Sequence, residues 1–299
     1  MTPTIKQLKY LIALDEHLHF GKASAACFIS QSAFSIAIKE LETALNVQLV
    51  DRTNKSVVIT EAGRAVITQA RHCIRDLDLL VSIASSEQEP LSGKLTLGVI
   101  PTIAPFLLPP LIPEVVRQFP KLQLFLREDK TAVIHEQLLD GKLDLILVAL
   151  PFQMRGVTVM PLFEDPFLLA CSRNSRWIDG KSTRLELAAL PDESVLLLED
   201  GHCLRDHALA ACHLRNADQI NRFAATSLQT LLQMVVADLG ITFVPAMARD
   251  SLTGGSSELE LHPLSEQNCR EIGLAWRKGS SRGDEFSKIG ALIQQLHQQ

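Results

Sequence analysis

Residues 61–88 read as one uninterrupted helix, and no other segment restricts the fold of this chain as much. Thr60 caps it. Inside, Ile67, Ala70, Ile74, Leu77, Val81 and Ala84 recur at spacings of three and four, which amounts to three a/d heptads. At 1.5 Å per residue the helix is about 40 Å long. A stripe of this kind either packs on the chain's own domain or forms a seam between two chains. Its length, and the lack of a second stripe, favour dimerisation. Glu89-Pro90-Leu91-Ser92-Gly93 ends the helix and reads as a hinge, so the chain divides into a part before the rod and a part after it.

Before the rod, the pattern is short helices with tight breaks. Ile5, Leu8, Leu11, Ile12 and Leu14 mark a first amphipathic helix, and a second covers roughly 21–27. Ser30 is a good N-cap for a third, in which Phe34, Ile38, Leu41 and Leu45 form one stripe and Asn46 supplies a left-handed stop. Gln31, Ser32, Ser35 and Lys39 lie off that stripe. Two apolar runs, 47–50 and 57–59, flank a polar tip at Asn54-Lys55-Ser56 and read as a β-wing. Helix-turn-helix plus wing is an architecture that places its third helix in the major groove of DNA. Lys39, Arg52, Lys55 and Arg64 are candidates for phosphate contacts, or else an ordinary solvated face. Charge alone does not point to nucleic acid: the net charge is −5, and residues 1–63 carry six basic and six acidic side chains.

After the hinge, strands and helices alternate. Strands are expected at 95–100, 122–126, 143–150, 167–171, 195–198, 241–244 and 272–277. Helices are expected at 105–119, 131–140, from about 205, at 227–239 and at 284–296. Two α/β lobes with crossovers near Leu162 and Cys269 resemble the periplasmic-binding-protein architecture, which binds ligands in the crevice at the carboxyl ends of its strands. The expected fold is therefore α+β and multidomain, with a two-lobed α/β regulatory domain. No stretch of about 18 apolar residues and no basic-then-apolar leader is present, so a cytoplasmic chain is expected. Six cysteines in 299 residues do not make a secreted disulfide scaffold.

The run Glu199-Asp200-Gly201-His202-Cys203-Leu204-Arg205-Asp206, with Cys212 nine residues after Cys203, concentrates the chemistry. Only a thiolate is a nucleophile, and Arg, His⁺ or a helix N-terminus lowers a thiol's pKa. A reactive thiol with a partner thiol in reach is the recipe for a reversible redox switch. Two buried small hydrophobes are the plainer reading. His202, Cys203, His207, Cys212 and His213 are also of metal-ligand type, though not at a zinc-ribbon spacing; no metal and no cofactor are expected. Cys27, Cys73, Cys171 and Cys269 read as structural.

The segment Leu8-Lys9-Tyr10, His19-Phe20, Ala23, Ala26, Ile29-Ser30-Gln31-Ser32, Ser35, Ile38, Leu41-Glu42 and Leu45 resembles the winged helix-turn-helix of LysR-type transcriptional regulators. Leu49, Asp51-Arg52 and Thr60-Glu61-Ala62-Gly63 extend the match, which continues over essentially the whole chain. Ser32 stands where many members have proline, and Asn46 where glycine is usual. Gly98-Val99-Ile100-Pro101-Thr102, Pro105, Leu107-Leu108-Pro109, the Gly-His-Cys-Leu-Arg-Asp run with Cys212, 225–228 and 272–277 resemble the hydrogen-peroxide-sensing branch of that family.

The resemblance implies a regulator that is not an enzyme. Its domains would be a winged helix-turn-helix at 1–60, a dimerisation helix at 61–89, a hinge at 90–94 and a redox-sensing domain at 95–299. That domain would comprise lobe I (95–162 and 269–299) and lobe II (163–268). Its partners would be double-stranded DNA read through Ser30, Gln31, Ser32, Ser35, Lys39, Arg52 and Lys55, RNA polymerase, further copies of itself as dimer and tetramer, and a thiol reductant such as glutaredoxin or thioredoxin. Hydrogen peroxide would oxidise Cys203 to a sulfenic acid, which Cys212 resolves as a disulfide.

Arg205 and the helix N-terminus would stabilise the thiolate, with His202 if protonated. Asp206 would orient Arg205 or a water, while Thr102, Thr131 and Arg277 would surround the peroxide. If both cysteines lie on or bracket one helix, nine residues make two and a half turns and set them about 13.5 Å apart along its axis. A disulfide needs Cα atoms within about 7 Å, so the pair closes only if the segment refolds. The alternatives are a regulator with a small-molecule inducer in the crevice, its cysteines incidental, and a thiol peroxidase, for which a winged helix and a dimer helix have no use.

Overall fold

The computed structural model describes residues 2–52, 57–84, 91–178, 194–211, 225–253, 258–264 and 268–298. The chain separates into two compact units, Met1–Glu89 with Leu139–Lys142, and Pro90–Leu138 with Leu143–Gln299.

In the first unit α1 (Ile5–His17), α2 (Phe20–Ala26) and α3 (Gln31–Leu45) precede β1 (Val50–Arg52), β2 (Val57–Ile59) and α4 (Glu61–Ala84). Local chemistry sets each boundary. Thr4 and Gln7 form a reciprocal capping box on α1, and the His19 ring nitrogen accepts from the Gly21 and Lys22 amides to start α2. Ser30 caps α3 as expected, and Asn46 ends it in the left-handed region at φ 52°. Phe34, Ile38 and Leu41 bury completely, joining Leu11, Leu14 and Leu49 in the core.

The wing differs from expectation. Its first strand is Val50–Arg52 rather than 47–50, because the Glu42 carboxylate accepts from the Leu49 and Val50 amides and holds the incoming chain off the ladder. Thr60 caps α4, its hydroxyl accepting from the Gly63 amide and donating to the Gln48 carbonyl. Burial along α4 is uneven. Ile67 packs into the first unit's own core and Ala70 is buried, whereas Ile74 and Leu77 are half-buried and Leu80 is exposed.

The second unit is built on one mixed, seven-stranded sheet. Its strands are β3 (Gly93–Val99), β4 (Leu122–Glu128), β5 (Leu145–Leu150), β6 (Val157–Ser172), β7 (Thr242–Pro245), β8 (Leu259–Pro263) and β9 (Cys269–Arg277). They run in the order β4-β3-β5-β9-β6-β7, with β8 paired to β6. Helices α5 (Ala104–Gln118), α6 (Thr131–Leu139), α7 (Cys203–Ala211), α8 (Leu228–Val236), α9 (Arg249–Thr253) and α10 (Gly283–His297) accompany it.

The β3, β4 and β5 pairings are parallel, as crossover helices require, but β9 runs antiparallel to both β5 and β6. The strand expected at 167–171 is the end of the 16-residue β6. This strand pairs with β9 up to Pro166, shifts register between Pro161 and Phe163, and then pairs with β7 and β8. The change from one hydrophobic cluster to the other, expected near Leu162, falls inside this strand between Phe163 and Phe167. No ladder forms at 195–198, where Val195 and Leu198 make single parallel bridges to Ile241 and Ala225. Two hydrophobic clusters result. One lies around β3, β5, β9, α5 and α10, the other around the end of β6, β7 and α8.

Candidate functional site

Cys203 is the first residue of α7 and Thr131 the first residue of α6, so two helix N-termini are brought together. Both side chains are buried, and the Thr131 hydroxyl is in hydrogen-bond contact with the Cys203 sulfur. Gly201, at φ +89°, makes the turn that delivers His202 and Cys203 into the interior. Burial pushes the Cys203 thiol above its ordinary pKa, and the Asp206 charge adds to this. The Thr131 contact and the Arg270 charge oppose it without reversing the direction. The sequence had suggested a lowered pKa. Desolvation outweighs the helix N-terminus here because the thiol is only 7% exposed.

The cation that acts on this sulfur is Arg270, which sequence reasoning missed. It is fully buried on β9. Its guanidinium donates to Asp165 (Nε to Oδ2, 3.0 Å), to the Thr102 hydroxyl (3.0 Å) and to the Thr102 carbonyl (2.9 Å). Asp165 also accepts from the Met247 amide at 3.0 Å, so both charges of this buried pair are satisfied. Thr102, buried after β3, therefore joins the site through Arg270. A signal existed: Arg270, Ile272, Leu274 and Trp276 alternate on the buried side of β9, but the strand was expected to start only at Ile272.

Arg205 does something else. Its Nε pairs with Asp200 at 3.0 Å and its Nη1 donates to the Leu198 carbonyl at 3.2 Å, so it ties α7 to the loop before it. Asp206, expected to orient Arg205, is exposed, and Asp200 takes that part. Arg277 donates to the Leu138 and Leu143 carbonyls, both at 2.7 Å, and is spent on holding α6 to the sheet. His202 is buried, and desolvation followed by the Lys130 charge lowers its pKa, so it is neutral near pH 7. Lys130 reaches across to the Asp200 carbonyl at 2.9 Å, and His207 meets the Pro151 carbonyl at 3.1 Å. Cys212 and His213 lie outside the described residues.

In the first unit Ser30, Gln31, Ser32 and Lys39 are exposed and Ser35 half-buried, on the α3 faces away from the Phe34–Ile38–Leu41 stripe. The Ser32 hydroxyl is hydrogen-bonded to that of Ser30 at 3.1 Å. Arg52 lies on β1, and Lys55 falls outside the described residues.

A helix-turn-helix with a wing, followed by a two-cluster α/β unit, defines a bacterial transcription factor of modular type. The family models agree: residues 5–64 match the bacterial regulatory helix-turn-helix protein, lysR family, and residues 88–299 match the LysR substrate binding domain. The chain belongs to the LysR-type transcriptional regulators. It is 39% identical over 289 residues to the DNA-binding transcriptional dual regulator OxyR of Escherichia coli strain K12, covering 97% of this chain and 94% of that protein. A full-length OxyR variant from Pseudomonas aeruginosa superposes with a TM-score of 0.81 at 30% identity, over 98% of this chain and 95% of that one. A Corynebacterium glutamicum OxyR cysteine mutant with hydrogen peroxide bound superposes with a TM-score of 0.67 at 33% identity, over 100% of this chain and 94% of that one. Among the described residues no helix is long and apolar enough to cross a membrane.

Proposed function

We propose that this regulator senses hydrogen peroxide through Cys203 and changes its action at promoters when that residue is oxidised. The observation that carries the reading is the placement of a buried thiol at the N-terminus of α7, against the Thr131 hydroxyl and within the field of Arg270. Peroxide is small, uncharged and rich in hydrogen-bonding capacity, which suits a buried thiol beside a hydroxyl and within the field of a guanidinium. Arg270 and Thr102 polarise the distal oxygen while Thr131 holds the sulfur. The Cys203 thiolate attacks one oxygen and the O–O bond breaks. The second oxygen leaves as water after taking up a proton, and the sulfur is left as sulfenic acid. The Cys212 thiol then displaces that hydroxyl as a second water and closes the disulfide. Return to the dithiol requires two electrons from a thiol reductant of the glutaredoxin or thioredoxin type.

In this reading residues 1–60 bind double-stranded DNA through Ser30, Gln31, Ser32, Ser35 and Lys39, the last four approaching bases or phosphates, with Arg52 and Lys55 on the backbone. Residues 61–89 pair two chains in the cytoplasm, 90–94 form the hinge and 95–299 the redox domain. Dimers assemble further into tetramers that engage RNA polymerase. Titration of the reduced full-length protein with peroxide, counting free thiols, tests the proposal. Two thiols are lost per chain, and Cys203→Ser abolishes the loss. An unchanged thiol count, together with thermal stabilisation by a small metabolite in a variant lacking both cysteines, points instead to a crevice-binding inducer.

A further inference from the structure

A second cluster of donors lies well away from α7 in sequence, where β6 pairs with β8. Cys171 on β6 stands directly opposite Glu260 on β8, and His262 stands opposite Leu169 two residues along. The pleat puts alternate residues of a strand on one side, so Cys171, Glu260 and His262 share one face of this two-strand corner. Their ligating atoms all lie within 4.8 Å of one another. The His262 Nε2 is 3.6 Å from Glu260 Oε2, and the other carboxylate oxygen, Oε1, is 3.6 Å from the Arg173 Nε. Cys171 is buried, while Glu260 and His262 are half-buried and open the cluster toward solvent.

We infer that Cys171, Glu260 and His262 form a binding site for a borderline divalent transition-metal ion of the zinc class, with an open fourth position for water. The chemistry of the three donors fits such an ion. One thiolate sulfur, one imidazole nitrogen and one carboxylate oxygen make the mixed set that zinc accepts and that calcium or magnesium, which take oxygen ligands, do not. Tetrahedral zinc at its usual bond lengths needs donors about 3.5 Å apart; the His262–Glu260 separation of 3.6 Å matches, and the Cys171 sulfur lies within 4.8 Å of both. Binding replaces the thiol proton: the ion takes the sulfur lone pair and one proton leaves to solvent, with no change of oxidation state.

The arrangement also accounts for a thiol that the redox chemistry does not use. Cys171 lies buried beside the Glu260 carboxylate and the imidazole of His262, so the cluster offers a bound cation one negative charge and three donors on one face. This site does not rest on the peroxide reading, and its test is independent of it.

Full-length reduced protein, stripped with a chelator and titrated with Co²⁺ alone, is expected to bind one equivalent with a sulfur-to-cobalt charge-transfer band that Zn²⁺ removes by competition. Cys171→Ser abolishes the band and Cys203→Ser keeps it. Because a buried Cys→Ser change can disturb folding, His262→Gln provides the second arm. It should weaken Co²⁺ binding by at least the roughly 10-fold that even an outer-shell substitution costs. Absence of the band, its survival in Cys171→Ser, or an unchanged affinity in His262→Gln overturns the site.

Discussion

Arg270 and Cys203 illustrate how one buried charge reshapes the chemistry of a neighbour. The guanidinium is held by Asp165 and Thr102 and therefore cannot swing onto the sulfur, yet its charge favours the thiolate. Burial acts in the opposite sense and wins, so the resting group is a thiol raised above its ordinary value of 9.0. Since only the thiolate attacks peroxide, the oxidation rate is expected to climb with pH and still be rising at pH 9.0, which stopped-flow measurement of thiol loss reads directly. A rate that levels off near neutral pH contradicts this account. Arg270→Met, which keeps volume and removes charge, should lower the rate throughout. Asp165 would then carry an unpaired buried charge, so the variant's fold has to be verified by the same denaturation curve as the parent.

Among elements, the turn from β2 into α4 is the most tightly constrained. Gly63 sits in the first turn of α4, and a Cβ there would run into the Leu49 carbonyl oxygen and lie 2.8 Å from an Ile59 methyl. The backbone of the wing cannot retreat, because Thr60 and Glu42 pin it by hydrogen bonds. Gly63→Ala is therefore expected to destabilise the first unit by roughly 1–3 kcal/mol, the usual cost of overpacking. Both tryptophans, Trp177 and Trp276, lie in the second unit and do not report on this change. Hydrogen exchange of amides 5–59 reads it, with protection lost there and unchanged in 93–172. The same turn shows what was legible beforehand. Thr60, Ser30 and Asn46 were readable as caps because capping depends on a few adjacent atoms. The start of β1 was not readable, since a carboxylate on α3 decides it from eight residues away.

At the scale of the whole molecule, the apolar stripe of α4 is buried unevenly along its length. Its first half, Ile67 and Ala70, is buried inside the protomer, whereas among the described residues Ile74 and Leu77 are half-buried and Leu80 is exposed. Leu77→Glu is expected to lower the assembly state seen by sedimentation without altering peroxide-dependent thiol loss. An unchanged sedimentation profile removes α4 from the dimer interface.

Periodicity and caps by themselves determined the helix-turn-helix head, the rod and the alternation that follows, and the motif residues determined the family. These are consequences of local geometry, because hydrogen bonds four residues apart and alternating side chains leave their mark in short windows of sequence. Tertiary structure alone decided which cation faces Cys203. Arg205 is two residues away in sequence but is bound to Asp200, whereas Arg270 comes from a strand 67 residues distant and is aimed by Asp165 and Thr102. It also decided that Cys171, Glu260 and His262 meet. Contacts across a sheet depend on which strands pair and in what register, and register is set by the whole buried face, not by the few residues that carry the chemistry.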